Sequence, residues 1–292
     1  MLKKRFNLGN AFAFVFQSFR KYPLLLMVPI AIESILSTLF TFGNDSTTNL
    51  SKSGDKISGL FPVIVFGNLL LFVMYFLLIS IVYIGIFRMG IKLYIGYVEP
   101  TWKDFSKLDW QLIRKYIFTM LLFGLYIAAA LLISLIPGAI IYLLTKNLPK
   151  IWMYLLISPF TIPAIIIYIT YTFVAPITVD TKSKIYEVFQ KSADLSRGIK
   201  WYLFGYFLLT SGVSYFVNSY FIHFKKIGFV WLYYSSNLLF TFLWTCIFVL
   251  IPIYLYKDLA RQQAEFDQAN KEMIKEESVE LKEGIVEKIQ SS

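Results

Sequence analysis

The chain has one cysteine, Cys246, and one histidine, His223, among 292 residues. A single cysteine excludes an internal disulfide, and no Cys/His spacing of a metal site can be assembled. Charge is also scarce. Only 16% of residues are Asp, Glu, Lys or Arg, against 57% hydrophobic, where a soluble domain has about a quarter charged. No glycine-rich phosphate loop, GxSxG elbow or HExxH is present. These absences leave no cofactor to assign, and the chain reads as non-enzymatic. An energy-driven pump would need its nucleotide-binding domain on a partner chain.

The scarce charges are also unevenly placed. None lies between Lys56 and Arg88, Lys115 and Lys146, Lys150 and Asp180, Lys200 and His223, or Lys226 and Lys257. Each gap exceeds the ~20 residues a helix needs to cross the hydrocarbon layer. A sixth apolar segment, Tyr22 to Phe42, is interrupted only by Glu33. Backbone groups in lipid must be satisfied internally, so helices or closed barrels are the options. Runs such as Leu69–Tyr75 and Ala128–Ile136 do not alternate, which excludes barrel strands. Mean hydropathy is +0.62. The fold class read from this is all-α integral membrane, with six transmembrane helices near 22–42, 62–90, 112–144, 152–178, 201–222 and 228–256. Residues 1–21 form an N-terminal interfacial segment, 22–256 the transmembrane domain, and 257–292 a charged tail, expected as a solvated helix. The basic start, Lys3-Lys4-Arg5, precedes no cleavable hydrophobic region, so the first span is expected to serve as the insertion signal.

Of the 28 Lys and Arg, 22 fall in the N-terminus, 88–115, 180–200 and the tail. The positive-inside rule then places both termini in the cytoplasm. The net charge of +10 is a topology signal, not a nucleic-acid footprint. Its expected partners are membrane lipids, anionic head groups included. Short amphipathic stretches are expected to lie along the cytoplasmic interface. In Ala11–Arg20, Phe12, Val15, Phe16 and Phe19 form one stripe. In Lys184–Arg197, Ile185, Val188, Phe189 and Leu195 oppose Glu187, Lys191 and Asp194. Ser183 is the expected cap there and Gly198 the expected end. Pro100–Trp110 is a third, less regular stretch. Pro29, Pro159, Pro163 and Pro252 are expected kink sites, Pro137-Gly138 an expected break in the third span, and 43–59 a polar outer loop.

Ionisable groups inside spans are costly, so they are the candidates for function. Glu33 sits half-way along the first span. A carboxyl group there must be neutral, paired with a cation, or held by donors. It is a candidate substrate or proton site, or else a packing hydrogen bond. Arg88 and Lys92, one turn apart at the inner end of the second span, can snorkel or hold a lipid phosphate. Asn68, Asn218 and Asn237 can hydrogen-bond across helices. Tyr94, Tyr97, Trp102, Trp110, Trp152, Tyr154, Trp201 and Tyr202 fall where an aromatic belt belongs.

Two segments carry a further signal. One is Gly85-Ile-Phe-Arg88-Met-Gly-Ile-Lys92-Leu-Tyr-Ile-Gly96, followed by Pro100 and Asp104-Phe105. The other runs from Ile136-Pro137-Gly138 through Tyr171-Thr-Phe-Val-Ala-Pro176-Ile-Thr-Val-Asp180 to Ser192, Ala193, Leu195 and Arg197-Gly198-Ile-Lys-Trp201. This pattern resembles the bacterial six-helix membrane proteins related to the membrane domain of glycerophosphoryl diester phosphodiesterases. The resemblance covers about residues 60–255. It implies a plasma-membrane location, and no hydrolase residue of that family maps onto this chain. The expected role is structural, lipid-interacting or accessory. The alternative is a transporter or permease component with a site near Glu33.

Overall fold

The computed structural model describes residues 7–52, 61–95, 99–106, 109–145 and 161–290. Every regular element among them is helical: α1 (Leu8–Lys21), α2 (Pro23–Lys52), α3 (Phe61–Ile95), α4 (Trp102–Ser106), α5 (Trp110–Thr145), α6 (Ile162–Thr170), α7 (Val174–Asp180), α8 (Ile185–Ser196), α9 (Lys200–Lys226) and α10 (Val230–Gln290).

Five segments are long and apolar enough to cross a membrane: Pro23–Thr41, Leu69–Ile95, Trp110–Ile133, Ile162–Asp180 and Leu232–Glu272. The fourth joins α6 and α7, and the beginning of that expected span, with Trp152, Tyr154 and Pro159, lies outside the described residues. The expected span at 201–222 forms a 27-residue helix, α9, but it is not among the five. Thr210, Ser211, Ser214, Asn218 and Ser219 dilute its apolar surface. Asn218 donates to Ser214 Oγ in its own helix at 3.5 Å rather than across to a neighbour. The side chains of Asn68, His223 and Cys246 lie outside the described residues.

The expected break at Pro137-Gly138 does not form. Helices α2, α5 and α10 continue through Pro29, Pro137 and Pro252, and Pro163 begins a helix instead of bending one. A proline removes one hydrogen bond, and in an apolar surrounding the remaining backbone groups have no better partner than the helix. The break comes at Tyr171–Phe173, where no proline stands. It is closed by α8. Ser192 Oγ accepts from Phe173 N–H at 3.2 Å and donates to Thr170 O at 3.2 Å, and Ser196 Oγ lies 3.1 Å from Thr170 O and 3.0 Å from Ala193 O. Both serines are fully buried. Irregular backbone at this depth is tolerated where protein supplies the missing partners.

The buried core lies towards the end of the bundle that carries Lys92, Asp180 and Lys257. Ile84, Ile86, Phe173, Ile177, Val188, Leu250, Ile251 and Ile253 pack there. Helix α3 approaches its neighbours closely at two glycines. A Cβ on Gly85 would overlap the Phe105 ring of α4, and one on Gly90 would lie 2.6 Å from Ile253 Cδ1. Away from this core the helices bare apolar side chains on every face. Leu69 through Met74 are exposed at six consecutive positions, more than one full helical turn. An unpacked apolar surface that encircles a helix suits hydrocarbon and not water.

The amphipathic stretches form helices with modified faces. Asn7 caps α1 through Oδ1, which accepts from Asn10 N–H at 3.0 Å. Its buried residues are Ala11, Val15 and Ser18. Phe14 packs on Tyr254 of α10, with centroids 5.4 Å apart. Of the expected apolar stripe, Val15 is buried and Phe12 and Phe19 pack against the core, while Phe16 is 73% exposed. Helix α8 buries Val188, Phe189 and Leu195 as expected, and Gly198 follows it with φ +87°. The cap differs. Glu187 accepts from Lys184 N–H at 3.0 Å, while Ser183 Oγ accepts from Lys191 Nζ at 2.8 Å. The expected outer loop begins helically, since α2 runs to Lys52, and 53–60 lie outside the described residues. The tail shows no break at 257, because α10 is one helix of 61 residues, about 90 Å long.

Candidate functional site

Two polar clusters lie within the apolar bundle. The first is built around Glu33, the eleventh residue of the first apolar segment. The residue is 4% exposed. Thr245 of α10 donates to Oε2 at 2.6 Å, and Tyr83 of α3 donates to Oε1 at 3.3 Å. Ser34 Oγ lies 3.5 Å from Oε2 but has a shorter contact, 2.8 Å, to Ile30 O. A hydroxyl has one proton, so Ser34 spends its own on the backbone. Glu33 thus ties α2 to α3 and α10 through two hydroxyl donors. No Lys or Arg pairs with it among the described residues.

The second cluster forms a polar layer at the end of the bundle near Asp180. Arg88 and Lys92 of α3, Asp104 of α4 and Asp180 of α7 line one cavity of about 380 Å³ with Ile91 and Val179. Arg88 and Lys92, one turn apart on α3, both line this cavity, and Glu33 is not part of it. The cavity carries acids as well as bases. Lys92 Nζ meets Asp104 Oδ1 at 2.5 Å. Asp180 accepts from Lys257 Nζ at 2.8 Å and 2.9 Å, and from Tyr256 OH at 2.5 Å. Asp180 closes a helix, where the backbone dipole opposes a negative charge; the Lys257 ammonium offsets that. Lys115 Nζ donates to Thr181 O at 2.8 Å. On the far side of α10, Asp258 accepts from Arg261 at 2.8 Å and from Tyr94 OH at 3.4 Å. Charge is thus largely paired within this layer, and its lining residues include both signs.

Asp104 also works locally. Its Oδ2 accepts from Thr101 N–H at 2.8 Å and Thr101 Oγ1 at 3.1 Å, half of a capping box at the start of α4. Partial burial disfavours the carboxylate, but Lys92 and the two Thr101 donors outweigh it and hold the Asp104 carboxyl below its ordinary range. A depressed carboxyl pKa stabilises the fold above the unfolded-state value and loses that contribution as pH falls through the folded one. Residues 99–106 are therefore expected to loosen below about pH 4, read as faster amide exchange. In Asp104→Asn that pH step disappears. An unchanged step in the variant would show that another carboxyl group controls the segment.

Sequence reasoning named Glu33, Arg88 and Lys92. It missed Thr245, Tyr83, Asp104, Asp180 and Lys257 as their surroundings. Asp180 and Lys257 each flank an uncharged run, and that signal could have marked them as helix-end charges. No sequence signal paired them. Among the described residues no group of three or more His, Cys, Asp or Glu could hold a metal ion. No family model, curated protein or solved structure matches the chain.

Proposed function

We propose that the chain is a multi-pass protein of the bacterial plasma membrane, with six spans, both termini cytoplasmic and α1, α4 and α8 at the inner interface. Its role is structural, lipid-interacting or accessory and not enzymatic. Kinship with the membrane domain of glycerophosphoryl diester phosphodiesterases belongs to the same proposal. Three features support it. The outward surface is apolar, as at Leu69–Met74. The basic residues gather at one end, where anionic head groups attract them by about 1 kcal/mol each. Trp102, Trp110, Tyr186 and Trp201, all in the first turns of helices at that end, are exposed, as interfacial aromatics are.

The observation that favours this role over transport is the enclosure of Glu33. A coupling carboxylate needs a route to water. Glu33 is instead buried and held by hydroxyls from two neighbouring helices. The broken helix at Tyr171–Phe173 is the feature that most favours a transporter, yet Ser192 and Ser196 already occupy its freed backbone groups.

The test is a pair of substitutions. Glu33→Gln keeps a carbonyl acceptor and adds a donor that the rotatable hydroxyls of Thr245 and Tyr83 can accept. It is expected to keep wild-type thermal stability in detergent within about 0.5 kcal/mol, whereas Glu33→Leu loses about 1–2 kcal/mol with two interhelical hydrogen bonds gone. Proteoliposomes loaded with a pH-sensitive dye are expected to show the same proton permeability for wild type and Glu33→Gln. A wild-type flux that Glu33→Gln abolishes would replace this reading with transport.

A further inference from the structure

Beside the charge-paired layer lies a groove of different character. It has a volume of about 630 Å³ and is lined by Trp110, Gln111, Arg114, Lys115 and Phe118 of α5 and by Ile185 of α8. Its charged lining residues are both cations. Arg114 is exposed and forms no ion pair among the described residues. Lys115 gives N–H groups to Thr181 O and Thr178 O; an ammonium has three, so one is left for the groove. The neighbouring acid, Glu187, is off the groove wall and is tied to Lys184 N–H at 3.0 Å. Above the cations the surface turns apolar in one line. Phe118, Leu121 and Leu125 are exposed and follow Arg114 at i+4, i+7 and i+11, one face of α5. From Arg114 to Leu125 the helix rises about 16 Å, close to half of a ~30 Å hydrocarbon core.

We infer that this groove is a binding site for an anionic phospholipid. The phosphate sits against Arg114 and Lys115, the head group lies between Trp110 and Ile185, and one acyl chain runs along Phe118, Leu121 and Leu125. The assignment rests on the reading of this end of the bundle as a membrane interface, and deepens it by naming one lipid class and one place. A guanidinium fork suits a phosphate, and the adjoining apolar line separates a lipid from a soluble phosphate. The Arg88 cavity lacks this character, since Asp104 and Asp180 line it as well.

The experiment is native mass spectrometry of the full chain with titrated phosphatidylglycerol, phosphatidylethanolamine and inorganic phosphate. Wild type is expected to retain phosphatidylglycerol over phosphatidylethanolamine. Arg114→Gln weakens phosphatidylglycerol binding about fivefold. Arg197→Gln, which removes an exposed cation at the same end but outside the groove, leaves it unchanged. Phe118→Ser, with both cations intact, lowers retention of long-chain more than of short-chain phosphatidylglycerol. Thermal unfolding of each variant confirms that it is folded. Equal losses in Arg114→Gln and Arg197→Gln, or no loss in Arg114→Gln, would overturn the site while leaving a general affinity for anionic lipid in place. Displacement of the lipid by inorganic phosphate at matching concentration would make it a soluble-anion site and overturn the lipid assignment. Absence of any preference for phosphatidylglycerol in wild type would overturn both the site and the interface reading.

Discussion

Asp180→Ala is expected to destabilise the protein by about 2–3 kcal/mol, because it strands a partly buried ammonium. The Asp180 and Lys257 side chains are 21% and 16% exposed, which places the cost below the 3–5 kcal/mol of a fully buried pair. Tyr256 OH loses its acceptor in the same step. The contact joins the last residue of α7 to α10, so its loss frees the end of the broken span. Asp180→Asn, which retains an acceptor for Tyr256, is expected to cost less. Asp180→Ala with Lys257→Met is expected to recover part of the loss, since the stranded charge has gone. Thermal or denaturant unfolding in detergent measures the series. A double variant less stable than Asp180→Ala would mean that Lys257 stabilises α10 by some other contact.

The second large effect is expected at the helix break. Ser192→Ala leaves Phe173 N–H without its acceptor in a site closed to solvent, at a cost of about 1–3 kcal/mol. Ser192→Ala with Ser196→Ala also takes both hydroxyls from Thr170 O. The two share that acceptor, so their effects are expected to depart from additivity. Amide exchange at Phe173 should accelerate selectively, while exchange in α3 follows global stability. If Ser192→Ala unfolds within about 0.5 kcal/mol of wild type, water or a backbone shift takes over the hydroxyl's role.

Both predictions concern contacts that no local pattern announces. Composition and charge spacing are local properties, and they were enough for the helical class, for apolar segments at five of the six expected places, for the buried side of α8 and for its end at Gly198. Lipid permits few backbone solutions, so a long uncharged run nearly specifies its own conformation. The expected span at 201–222 shows where that reasoning weakens. Absence of charge is not the same as high hydropathy, and residues 201–222 of α9 are uncharged but rich in hydroxyls. Helix α1 shows a second weakness. Phe16 belongs to an apolar stripe by spacing, yet spacing does not say whether a stripe meets protein or lipid, and Phe16 is exposed.

Charged residues are scarce in the apolar segments. Their rarity alone marked Glu33, Arg88 and Lys92 as unusual, because an ionisable group in hydrocarbon must have a reason to be there. Only the tertiary structure decided which side chains meet Glu33 and Lys92. Thr245 stands 212 positions from Glu33 and Asp180 stands 77 from Lys257, and no periodicity links residues so far apart. It also placed the helix break at Tyr171–Phe173, where α8 supplies Ser192 and Ser196, and not at any of the prolines. The reason is common to all three. A helix forms from hydrogen bonds between near neighbours in sequence, but a buried polar side chain is satisfied by whichever helix packs beside it.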